Sequence, residues 1–172
     1  MAFFAALIRA SASTLRHLTL DYRGVDHDNL VAALKPVTST LTSLRINEED
    51  EYADDFDWYP PVLETLPMLR SIEIPAEAIA DEAVGAALRK YKTLCRLRLY
   101  DYTGEGNASV DEVVKLVKDV EVGRLEVGQQ WWRECAEIKM AQVEGDYCEL
   151  VKEEMADSRK EVKGLVGDFA LI

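Results

Sequence analysis

A six-residue apolar pattern, L-x-x-L-x-L with conservative exchanges, recurs five times and constrains this chain more than any other feature. The copies are Leu15-Leu18-Leu20, Leu41-Leu44-Ile46, Leu69-Ile72-Ile74, Leu94-Leu97-Leu99 and Val122-Leu125-Val127. Their first residues are spaced 26, 28, 25 and 28 apart, the length of one supersecondary unit. Within each copy the last two apolar residues are two apart, the period of a strand. Both therefore fall on one buried side, and the residues beside them face outward. The pattern predicts five short strands.

Between strands the period becomes helical. Leu30, Leu34 and Val37 follow the first strand, and Val84, Leu88 and Tyr91 follow the third, at intervals of four and three. Counted from the last apolar strand residue, Val25 and Ile79 share an offset of five, Leu30 and Val84 of ten, Leu34 and Leu88 of fourteen, and Val37 and Tyr91 of seventeen. Asp26 or Asp28 in the first unit and Asp81 in the third stand where a side-chain oxygen can cap a helix. A helix in each gap lets successive strands pair in parallel, side by side.

These residues resemble the leucine-rich repeat family, particularly its form of 25 to 28 residues in which strand and helix alternate, as in the repeat regions of F-box proteins. The resemblance covers Leu15 to Gly128. Ile79-Ala80-Asp81-Glu82-Ala83-Val84 is similar to that form's turn into the helix, and Val25-Asp26-His27-Asp28-Asn29-Leu30 is a looser version. Three residues beyond each strand the family usually has Asn or Cys, whereas this chain has Arg23, Glu49, Glu77 and Tyr102. No stretch reads as the F-box itself. The resemblance implies an α/β leucine-rich repeat solenoid of about five parallel strands with convex helices, and a concave strand face that binds protein.

Phe4 and Ile8 precede Leu15 by 11 and 7 residues, as Leu30 and Leu34 precede Leu41. Residues 1–14 are thus expected to form the helix of an incomplete N-terminal repeat. Either the chain is part of a larger protein or this helix alone covers the first edge. Residues 15–128 are the repeats, and 129–172 a helical C-terminal cap and tail. In the last segment Trp132, Ala136, Met140, Val143, Tyr147 and Leu150 alternate at four and three, with Trp131 or Trp132 expected to seal the core. Gly145 divides the stretch into two helices or weakens one. The tail from Val162 to Ile172 fits no single element.

Composition narrows the partners. With 32 acidic against 20 basic residues, the net charge is −12, which disfavours nucleic acid unless the cations are strongly segregated. No apolar run approaches the ~20 residues of a membrane-spanning helix, so no membrane partner is expected. Cys95, Cys135 and Cys148 are odd in number and far apart, which favours a reducing compartment, cytoplasmic or nuclear. The apolar start lacks the basic residues that precede a secretory signal's core.

A catalytic constellation is not apparent. His17 and His27 are the only histidines; His17 takes an outward strand position and His27 a loop. Gly104-Glu105-Gly106 lacks the third glycine of a dinucleotide fingerprint and is read as a turn. No enzymatic activity, cofactor or metal is assigned.

From Glu48 to Tyr59 the chain carries seven carboxylates and four aromatic rings in twelve residues. Three readings stay open. The stretch is an interaction loop anchored by Phe56, Trp58 and Tyr59, or a cation site serving a calcium-binding protein or metal-dependent enzyme. Alternatively, Phe56 and Trp58 replace the helix of the second repeat, with Pro60 and Pro61 favouring an irregular connection.

The outward strand positions include Arg45, Arg96, Arg98 and Arg124 against three acids, Asp21, Glu73 and Glu126. Either these arginines form a patch for an acidic segment of a partner protein, with Arg98 and Arg124 as neighbours, or they pair with the three acids. The resulting expectation is a non-catalytic protein–protein interaction module. A structural piece of a larger repeat protein is an alternative.

Overall fold

The computed structural model describes residues 2–22, 27–48, 56–100, 109–140 and 147–172. Six strands, β1 (His17–Tyr22), β2 (Ser43–Glu48), β3 (Ser71–Pro75), β4 (Thr93–Tyr100), β5 (Glu121–Val127) and β6 (Asp168–Leu171), form one sheet in the order β1-β2-β3-β4-β5-β6. Every neighbouring pair is parallel. The five apolar motifs end in the first five strands, with Leu44, Ile46, Ile72, Ile74, Leu97, Leu99, Leu125 and Val127 buried in one continuous core.

The helices are α1 (Ala2–Ala10), α2 (His27–Leu34), α3 (Tyr59–Thr65), α4 (Glu82–Leu88), α5 (Val110–Asp119), α6 (Gln129–Met140) and α7 (Tyr147–Lys163). A parallel sheet whose spatial order follows its chain order advances in one direction, so right-handed crossovers put all helices on the same face. Consistent with this, α1 lies against α2, α2 against α3, α3 against α4, and α5 against α6 and α7. No described element covers the opposite face of the sheet.

Local chemistry explains the helix starts. The Asp81 carboxylate accepts from the N–H groups of Ala83 and Val84 at 2.8 and 2.9 Å, capping α4. Tyr91, after α4, donates its hydroxyl to the carbonyls of Leu63 and Leu66 at 2.6 and 3.1 Å. This ties consecutive units together, and burial raises the phenol's pKa above its ordinary value. In α1 only one face is buried: Ile8 is covered and Phe4 packs on the core, while Phe3 is exposed.

Two expectations are corrected. The gap between β2 and β3 holds a seven-residue helix rather than an irregular connection, because Pro60 and Pro61 occupy its first turn, where a missing N–H costs nothing. The segment 129–172 also adds a sixth strand to its two helices. Phe169 lies opposite Leu125 and is buried against Trp132, ring centroids 5.3 Å apart. Trp131 and Trp132 are both buried, and this aromatic cluster closes the core beyond β5. The entry to β6 requires glycine: a Cβ at Gly167 would stand 2.6 Å from the carbonyl oxygen of Gly123. Among the described residues, no helix is long and apolar enough to cross a membrane.

Candidate functional site on the strand face

Strand register determines which outward side chains meet. Across the middle of the face, Thr19 lies opposite Arg45, Arg45 opposite Glu73, Glu73 opposite Arg98, and Arg98 opposite Glu126. Charge therefore alternates along one row. Opposite charges on directly facing positions stabilise strand pairing, and the ion pairs form accordingly. Glu73 engages Arg45 at 3.3 Å and Arg98 at 3.2 Å.

A second row places Arg96 opposite Arg124, two like charges that repel. Glu126 resolves the conflict by bonding both. One carboxylate oxygen accepts from Arg96 at 2.6 Å and the other from Arg124 at 2.7 Å. Arg98 approaches the same carboxylate at 3.8 Å. Burial acts to raise the Glu126 pKa, but hydrogen bonds from Arg96 and Arg124, aided by their charges, outweigh it and leave the carboxyl below its ordinary range. Arg124 also reaches Asp168 of β6 at 3.3 Å.

All four sequence-predicted arginines thus share one network, joined by Glu73 and Glu126 of the three acids named with them and by Asp168. Arg98 and Arg124 are diagonal rather than directly opposite, because the register sets Arg98 against Glu126. Glu73 and Glu126 are buried beneath the guanidinium groups, whereas the side chains of Arg45 and Arg124 remain 48% and 52% exposed. Four cations meet three anions in this network, and Asp21, an outward position of β1 opposite Asn47, brings the acids of the face to four. Asp168 was not foreseen, since it stands on the strand that carries no repeat motif.

The face contains a further repair. Ser71 N–H donates to Thr42 C=O at 3.0 Å, so the alternation of a parallel ladder would next set Glu73 on Leu44 and Pro75 on Ile46. Pro75 has no N–H to give. The Tyr100 hydroxyl crosses from β4 and donates to the Ile46 carbonyl at 2.7 Å, restoring the missing bond.

The aromatic residues of the acidic stretch are placed differently from expectation. Trp58 and Tyr59 are buried, with ring centroids 4.0 Å apart, and Phe56 is half-buried, its ring 5.9 Å from that of Tyr59. Trp58 and Tyr59 serve the core between β2 and β3 and are not surface anchors. Residues 49–55, the centre of the acidic stretch and of the cation-site reading, lie outside the described residues, as does Gly104-Glu105-Gly106. His17 is exposed on the edge strand β1. Of the cysteines, Cys95 is exposed and Cys135 buried. Burial, with the charges of Glu112, Glu134 and Glu77, pushes the Cys135 thiol up to about 12, which makes it a poor nucleophile. No family model matches the chain, and no curated protein matches its sequence.

Proposed function

We propose that this chain is a non-catalytic protein-binding module, a short leucine-rich repeat solenoid of the cytoplasm or nucleus whose strand face receives an acidic segment of a partner protein. The observation that carries this reading is the alternating row Arg45–Glu73–Arg98–Glu126, with Arg96 and Arg124 beside it, on a face that no described element covers. Each guanidinium has five N–H donors in a fixed fork, and the buried carboxylates occupy only some of them. Holding the long side chains in place before binding reduces the entropy lost on association. The guanidinium donors that remain exposed on Arg45 and Arg124 give the face its preference for an anion.

In this arrangement Arg45 and Arg124, the most exposed of the four, make the outer contacts. Arg98 and Arg96 hold the platform. The test compares the intact chain with Arg45→Ala/Arg124→Ala, which leaves Glu73 paired with Arg98 and Glu126 paired with Arg96. Proteins retained from a cell extract are identified for both, and their affinities measured by calorimetry. At least tenfold weaker binding by the double variant, about 1.4 kcal/mol, is expected, with an unchanged far-ultraviolet circular dichroism spectrum. Retention of the same proteins with equal affinity would remove the strand face from the reading.

A further inference from the structure

A second surface, remote from the arginine row, combines apolar floor and unmatched charge. On α7, Lys152, Met155, Ala156, Arg159, Lys160 and Lys163 recur at helical spacing and, with Leu171 of β6, line a groove of about 460 Å³. That volume lies in the lower part of the range for ligand-sized clefts. Met155 and Leu171 are partly buried and pack on the core, so they form the floor, while the four cations stand exposed around it.

The charges here are not explained by internal pairing. Lys160 binds the Asp157 carboxylate at 2.9 Å, but among the described residues Lys152, Arg159 and Lys163 have no ion-pair partner. Lys160 and Lys163 lie in the last turn of α7, where the helix dipole favours cations. Lys152 is nearly three turns earlier and owes nothing to that effect. In a chain of net charge −12, a cationic rim around an apolar floor is segregated against the overall balance.

We propose that this groove binds an acidic peptide carrying bulky apolar side chains, which settle on Met155, Ala156 and Leu171 while flanking carboxylates meet Lys152, Arg159 and Lys163. A membrane surface fits less well. Insertion into a bilayer needs protruding apolar groups, whereas Met155 and Leu171 are partly buried and pack on the core. The groove differs in kind from the strand face, because among the described residues Lys152, Arg159 and Lys163 have no carboxylate partner and its floor adds hydrophobic contact. The two sites are therefore separable.

The test uses the intact chain and a fluorescent pool of twelve-residue peptides built from glutamate, aspartate, leucine and phenylalanine, followed by anisotropy. Saturable binding is expected from the Arg45→Ala/Arg124→Ala chain, in which the strand face's own contacts to acidic segments are removed; adding Lys152→Glu/Arg159→Glu weakens it at least tenfold, and adding Lys152→Arg/Arg159→Lys retains it. It should fall as salt rises. Thermal melting verifies that each variant is folded, and all substituted side chains are solvent-exposed. Absence of saturable binding, or binding indifferent to charge reversal, would overturn the proposal. So would loss of binding only in the strand-face variant, which would assign the peptides to that face instead. Displacement of the peptides by phosphatidylserine vesicles, with the vesicles binding more tightly, would overturn it in favour of a lipid surface.

Discussion

The strand face and the α7–β6 groove each gather four cations, yet their charges are organised in opposite ways. On the strand face each of the four arginines contacts a carboxylate, and Glu73 and Glu126 are buried under them. Around the groove, Lys152, Arg159 and Lys163 stand over Met155 and Leu171 without a described anionic partner. The contrast separates two uses of positive charge. In the first, cations and anions hold one another in place across neighbouring strands. In the second, Lys152, Arg159 and Lys163 have no described anionic partner and border an apolar floor.

The difference can be broken most severely at Trp132. This ring is fully buried and contacts Phe169 on β6, so Trp132→Ala removes a large side chain from the core and is expected to cost about 3–5 kcal/mol. Urea unfolding measures the loss. Hydrogen exchange should show β6 losing protection before β2, β3 and β4, abolishing the groove while the Arg45–Glu73–Arg98 row persists.

Glu126→Gln sharpens the contrast from the other side. It leaves Arg96 opposite Arg124 without the carboxylate that bonds both. Because both arginines are partly exposed, water screens the repulsion, and a cost of about 1–2 kcal/mol is expected. The pH dependence has a defined sign. The folded pKa of Glu126 is lowered, so its contribution is complete above its unfolded value of about 4.3 and is lost as pH falls through the folded value. The stability gap between the parent chain and Glu126→Gln should therefore narrow on acidification below about pH 4. A constant gap would show that the carboxylate's charge is not what matters.

Tyr100→Phe is a smaller perturbation of the same face. It withdraws the hydroxyl that compensates for Pro75 and leaves the Ile46 carbonyl without that bond. A loss of about 1 kcal/mol is expected, read as a lower denaturation midpoint. The smallest effect belongs to the groove. Lys152→Ala/Lys163→Ala should change stability by no more than about 0.5 kcal/mol, since no described internal bond is lost. A large loss would reveal the groove's cations as structural and erase the distinction.

The comparison also shows which features were legible in sequence. Apolar residues two apart in strands and three or four apart in helices report burial directly. Leu44, Ile72, Leu34 and Leu88 were readable for that reason. The strand β6 was not. Its four residues contain no repeat motif, and their extended state comes from the open edge of β5 and the pocket beside Trp132. Trp58 and Tyr59 were ambiguous because an aromatic beside acids looks alike whether it turns outward or inward; the choice is made by the space between β2 and β3.

At the site, the four arginines were identifiable from strand alternation. The partner of each depends on register. The same alternation contained that information, since Glu73 and Glu126 occupy the positions equivalent to Arg45 and Arg98. The cations of α7 were not legible, because helical spacing reports the apolar stripe of that segment and not which charges find partners.

The central claim is that the strand face, with its preset arginines, is the recognition surface of a protein-binding module. Its most direct test is the calorimetric affinity of a retained partner for the parent chain, for Arg45→Ala/Arg124→Ala and, alongside, for Lys152→Glu/Arg159→Glu. A partner of the strand face should bind the first variant at least tenfold more weakly, with the loss shrinking at high salt, and the groove variant as well as the parent. Equal affinity for the parent and for Arg45→Ala/Arg124→Ala would contradict the account.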